Sequence, residues 1–211
     1  MRQTLVTLSV AILAALGTVS PVLAEERPAS VQKPERTAPS ANATKPLSLA
    51  QYAAKRDEAL RTARAGGTRE LAANCYDVYL KSLGNSRFTS TEISATGSRS
   101  AMLRARATEA GWWEIFTLCF DSTGYDYIYS PPADRYVSAR IDLSGDNYGM
   151  LRAIAPTVGS WEKFTVSCSS SCTIRSQANN KYVTAEISDT GGGYGMLRTR
   201  ADSVGSWERF E

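Results

Sequence analysis

The stretch Tyr148-Gly149-Met150-Leu151-Arg152 is followed six positions later by Val158-Gly159-Ser160-Trp161-Glu162. The same words return as Tyr194-Gly195-Met196-Leu197-Arg198 and Val204-Gly205-Ser206-Trp207-Glu208. Extended outward, the likeness runs without a gap over 29 positions, Tyr136 to Phe164 against Tyr182 to Phe210, and 17 of them are identical. A more divergent copy, Phe88 to Phe116, keeps Ile93, Gly97, Met102-Leu103-Arg104, Ala107, Gly111, Trp113-Glu114 and Phe116. The copies begin 48 and 46 residues apart, a spacing that marks one supersecondary unit used repeatedly.

Each unit reads as four short strands. The first is Tyr76 to Ser82, Tyr127 to Ser130 or Thr173 to Ser176, and the second Phe88 to Ile93, Tyr136 to Ile141 or Tyr182 to Ile187. In the second strand Val137, Ala139 and Ile141 alternate with Ser138 and Arg140, the period of a half-buried strand. A glycine-rich turn follows, then a third strand through Leu151, Ala153 and Ala155, and a fourth leading through Phe164 or Phe210. Three such units are too few for a propeller and lack the capping repeats of a solenoid. They can hide their apolar faces by closing around one threefold axis, which also removes open sheet edges. The expected fold is therefore all-β, a β-trefoil over 75–211 with repeats at about 75–118, 119–167 and 168–211. Leu103, Leu151 and Leu197 are expected in its core, as are Trp113, Trp161 and Trp207 and the phenylalanines three residues after them. Truncating one of those phenylalanines, if fully buried, should cost about 3–5 kcal/mol.

The chain ahead of the repeats is different in kind. Residues 1–24 carry Arg2, an apolar run from Leu5 to Leu16, and Pro21-Val22-Leu23-Ala24, the form of a secretory signal cleaved after Ala24. The run is shorter than the roughly 20 residues of a spanning helix, so no membrane insertion is expected after cleavage. Residues 25–47 hold four prolines and few large apolar groups, and read as a disordered linker. Residues 48–66 read as a short helix with a Ser48/Gln51 capping box and a stripe of Leu49, Tyr52, Ala53, Leu60 and Ala63. It is expected to act as a spacer docking loosely on the domain, with a partner-binding helix as the alternative.

Charge and composition narrow the chemistry. Residues 75–211 carry 14 Lys or Arg and 15 Asp or Glu, a balance that offers no general attraction to nucleic acid. The chain has no histidine, which removes the usual general base, the Ser-His and Cys-His pairs and nearly every catalytic zinc geometry. No nucleotide-binding glycine pattern or EF-hand loop is present, so neither an enzyme nor a bound cofactor or metal is expected. Cys75, Cys119, Cys168 and Cys172 suit two disulfides in an oxidising compartment. Cys168–Cys172 with Cys75–Cys119 is preferred, and Cys119–Cys168 with Cys75–Cys172 competes.

The Tyr-Gly-Met-Leu-Arg and Val-Gly-Ser-Trp-Glu-x-Phe words resemble the fascin-like β-trefoil modules, above all the bacterial secreted kind often attached to glycoside hydrolases. The resemblance covers residues 75–211 and implies the trefoil fold and a non-catalytic binding role. Ricin-type sugar-binding trefoils carry Gln-x-Trp near the end of each unit. Gly159-Ser160-Trp161, Gly205-Ser206-Trp207 and Gly111-Trp112-Trp113 stand here instead, so no lectin residues are carried over.

A secreted module for an extracellular polysaccharide or cell-surface glycan is the leading functional expectation. Its candidate rings are Tyr148 and Tyr194, each just after a glycine-rich turn, with Asp146 and Asp189 nearby. Tyr125 and Tyr129 form a second candidate group, placed by alternation on the face opposite Tyr127. Unit one has Ser100 in place of the turn tyrosine, so a repeated site is expected to be twofold. The alternative is a protein-interaction module, an actin-type cross-linker, adhesin or secreted inhibitor, built on the repeated Arg104, Arg152 and Arg198. Surface ion pairs from these arginines to Glu114, Glu162 and Glu208 are the plainer reading of the same residues.

Overall fold

A computed structural model of the chain describes residues 45–66 and 74–211; residues 1–44, where a signal peptide over 1–24 and most of a linker are expected, lie outside the described residues. Helix α1 spans Leu49–Ala65 and begins as its capping box dictates. The Ser48 hydroxyl accepts the Gln51 N–H at 3.2 Å, and the Gln51 side chain accepts the Ser48 N–H at 2.9 Å.

Twelve strands follow: β1 Asn74–Tyr79, β2 Lys81–Ser82, β3 Arg87–Glu92, β4 Met102–Ala107, β5 Ile115–Phe120 and β6 Asp126–Ser130. The remainder are β7 Arg135–Arg140, β8 Met150–Ala155, β9 Phe164–Cys168, β10 Cys172–Ser176, β11 Tyr182–Ala185 and β12 Leu197–Ala201. β1 pairs β5, β5 pairs β6, β6 meets β9, and β9 pairs β10, all antiparallel. Phe210 then bridges both Cys172 and Ser82, closing these strands into a barrel without a free edge. The other strands form the hairpins β3/β4, β7/β8 and β11/β12. They touch through the bridges Met102↔Arg152, Arg198↔Met150 and Arg104↔Met196, so the hairpins close one end of the barrel. Met102, Met150 and Met196 pack together there, and Leu103, Leu151 and Leu197 point the other way into the main core.

Phe116, Phe164 and Phe210 are fully buried as expected, but the tryptophans are not core residues. Trp113 is 46% exposed, and Trp161 and Trp207 are half-buried. The buried side chain at the next position is a glutamate: Glu114, Glu162 and Glu208 are each 7% exposed. Each carboxylate accepts a backbone N–H three residues back, from Gly111, Gly159 or Gly205, and a hydroxyl from Ser90, Ser138 or Thr184. These bonds satisfy the carboxylate and swing the preceding tryptophan outward.

The helix is no loose spacer. Leu49 and Tyr52 are fully buried against the barrel, and Leu47 bridges Val78. Asp126 is wholly buried. It accepts the Tyr52 hydroxyl at 2.6 Å, the Arg56 guanidinium at 2.7 Å and the Val166 N–H at 2.7 Å. Burial pushes the Asp126 carboxyl upward, and the Arg56 charge and these hydrogen bonds pull against it. Disulfides join Cys75 to Cys119 and Cys168 to Cys172, each across a directly paired position of two neighbouring strands.

Candidate functional site

Asp126, at the start of β6, meets α1, and Ser130, at its other end, shares a 2.8 Å hydrogen bond with Thr91 of the β3/β4 hairpin. The helix and the hairpins thus occupy opposite ends of the barrel. The three turns of interest lie at the hairpin end.

Those turns are short 3-10 segments, Gly97–Arg99, Gly145–Asn147 and Gly191–Gly193, followed by Ser100, Tyr148 and Tyr194. Arg104 donates from Nε to the Tyr194 carbonyl at 2.9 Å and from Nη2 to the Gly191 carbonyl at 3.1 Å. Arg198 treats Tyr148 and Gly145 alike, at 2.9 and 3.3 Å. Arg152 treats Ser100 and Gly97 alike, at 2.8 and 3.5 Å. Each unit therefore clamps the turn of its neighbour, and a planar fork with parallel donors suits two carbonyls of one turn better than a lysine would. Desolvation lowers the pKa of Arg104 and Arg152. The expected ion pairs to Glu114, Glu162 and Glu208 are absent among the described residues, because those carboxylates are already consumed inside their own units.

The residue after each turn tyrosine is also fixed by close approach. Gly149 and Gly195 hold φ of +73° and +72°, and an added Cβ would stand 2.6 Å from the Thr199 carbonyl oxygen and 2.5 Å from that of Ala105. Unit one places Ala101 in this left-handed conformation, at φ +54°.

Tyr148 and Tyr194 stand half-buried on their clamped turns, beside exposed Asp146 and half-buried Asp189 respectively. The Tyr194 hydroxyl accepts a 3.3 Å hydrogen bond from Asn85. The second candidate group does not join them. Tyr125 lies at the helix end, half-buried, with the Lys163 ammonium 5.3 Å from its ring centre. Tyr129 must be withdrawn as a ligand platform. It is 1% exposed, packs edge-on against Tyr136, and donates its hydroxyl to Asp134. Strand β6 is buried on both faces, so alternation does not bring Tyr129 to the surface.

Two asparagines belong to the turn face and escaped the sequence reading. Asn85 donates to the Ala105 carbonyl at 2.8 Å and accepts the Arg87 N–H; Asn179 does the same with Thr199, at 2.8 Å, and Lys181. Both stand three residues before the repeat begins, and unit two has Ala133 there. Trp113 and Ile93, 46% and 42% exposed, are the other surface features not foreseen. Among the described residues no group of three His, Cys, Asp or Glu is placed to hold a metal ion.

No known family model matches the chain, and no curated protein matches it in sequence. Solved structures do. A designed threefold-symmetric protein, ThreeFoil, is similar at a TM-score of 0.54 and 12% identity, over 64% of this chain and 95% of its own. The chain folds as a β-trefoil-like barrel. An exo-β-1,3-galactanase of Clostridium thermocellum, 1,3Gal43A, is similar over 63% of this chain but 29% of its own, at a TM-score of 0.53 and 15% identity. A mosquitocidal holotoxin is similar over 64% of this chain and 16% of its own, at a TM-score of 0.53 and 11% identity.

Proposed function

We propose that this chain is a secreted, non-catalytic binding module for an extracellular polysaccharide or cell-surface glycan, with Tyr148 and Tyr194 as its stacking rings. One observation carries the reading. Both rings stand half exposed on turns that Arg198 and Arg104 hold from the next unit, so the platforms are organised before a ligand arrives. The junction clamped by Arg152 has Ser100 and Ala133 where the others have tyrosine and asparagine, which supports two sites rather than three. The same fold inside a galactan-cleaving enzyme gives a precedent beside polysaccharide chemistry. The proposal includes the signal peptide and secretion, three four-stranded units divided near residues 118 and 167, and kinship with the fascin-like modules through the repeated Tyr-Gly-Met-Leu-Arg word.

A protein partner is the second reading, favoured by the exposure of Trp113, Ile93 and Leu83. Affinity electrophoresis in polysaccharide gels separates the two. Tyr148→Ala and Tyr194→Ala should each weaken retention and together abolish it, with melting temperatures within about 3 °C of the parent. Tyr127→Ala is the destabilising control, since that ring is 1% exposed and its hydroxyl donates to Asp121. Unchanged mobility with sharply lowered melting would make the turn tyrosines structural and favour the protein partner.

A further inference from the structure

The three turns share a backbone and differ in charge. The third, Gly191-Gly192-Gly193, carries no side chain beyond Cα, and Arg99 from unit one lies across it. Its Nη1 sits 2.2 Å from where a Cβ of Gly192 would stand, so the guanidinium rests against bare backbone. Among the described residues Arg99 is in none of the ion pairs or hydrogen bonds, whereas Arg106 is held by Glu92 and Arg200 by Glu186. Arg104, clamped on the same turn, feels Arg99 and Arg106 as repelling charges and Glu92 as the attracting one. The acid on the turn itself is Asp189, whose Oδ2 lies 2.9 Å from the Cβ position of Gly193. Arg99 therefore lies on the turn that carries Tyr194 with no carboxylate paired to it among the described residues, while Arg106 beside it is answered by Glu92.

The Tyr148 turn has the opposite character. Asp146 and Asn147 occupy the places of Gly192 and Gly193, and the clamping Arg198 also has Glu186 at 3.8 Å.

We propose that the Tyr194 junction binds an anionic sugar of the uronate class, with Arg99 as counter-charge to the carboxylate and Tyr194 beneath the ring. The proposal rests on the glycan reading above. A guanidinium and a carboxylate form a bidentate, charge-assisted pair, and the glycine run leaves the space above the turn for it.

Affinity electrophoresis in gels of polygalacturonate and of a neutral β-glucan tests this with the full chain. Arg99→Gln should weaken retention by polygalacturonate about tenfold or more, as expected when one charge-assisted pair is lost. It should leave retention by the glucan unchanged. Gly192→Asp should weaken polygalacturonate retention equally, because it sets an internal carboxylate against Arg99. Arg99→Lys should restore part of it. Arg135→Gln, a surface arginine outside the junction, is the control for general charge attraction and should change nothing. Retention by polygalacturonate that survives both Arg99→Gln and Gly192→Asp would overturn the proposal, as would an equal loss from Arg135→Gln. A parent held by the glucan alone would overturn it while leaving the glycan reading standing. A parent held by neither gel would overturn both.

Discussion

The hairpin end of the barrel is built by repetition, and the helix end by contacts that occur once. At the hairpin end the same arginine clamp appears three times, each copy within a unit that also supplies the next turn. At the helix end, Tyr52 and Arg56 reach Asp126 across sequence separations of 74 and 70, and Val78 and Cys172 occupy the corresponding first-strand positions of the other units. Repetition spreads the cost of any one loss over three similar junctions. A unique buried lock concentrates it.

The sharpest way to break this distinction is at Asp126. Asp126→Ala leaves Arg56 with Asp57 as its one carboxylate and orphans the buried Tyr52 hydroxyl and Val166 N–H, and should destabilise by about 3–5 kcal/mol in denaturant titration. Replacing the group together, as Tyr52→Phe, Arg56→Met and Asp126→Leu, should recover only part of that, because it removes the buried charges but leaves the Val166 N–H and carbonyl without the partners Asp126 and Arg56 gave them. Arg198→Ala should cost less, about 1.5–3 kcal/mol, since it removes charge-assisted bonds to two carbonyls that water can partly reach. If Arg198→Ala proved as damaging as Asp126→Ala, the contrast between the ends would fail. The smallest effect belongs to the divergent unit. Ala101→Gly should stabilise by about 0.5–1 kcal/mol, because Ala101 holds a left-handed backbone that units two and three assign to glycine.

These contrasts show what was legible in the residues alone. The trefoil-like architecture, the leucine layer and the buried phenylalanines were readable because a repeat states each feature more than once. The helix was readable from Ser48 and Gln51, since capping is local. Its docking was not, because neither Arg56 nor Asp126 announces a partner some 70 residues away. The tryptophans misled for a related reason. A large ring suggests a core, but the buried position went to Glu114, Glu162 and Glu208, whose partners come from another strand of the same unit. Tyr129 misled because alternation assumes one wet face, and β6 has none. Of the turn face, the tyrosines and aspartates were legible from spacing; Asn85, Asn179 and the arginine clamps needed the junctions between units.

The claim that the hairpin end is the binding face is tested most directly by nuclear magnetic resonance mapping of a labelled chain titrated with glycan oligosaccharides. Amide shifts should concentrate at 145–149 and 191–195 and spare α1. Shifts confined to α1 or to the Trp112–Trp113 surface would place binding elsewhere and contradict it.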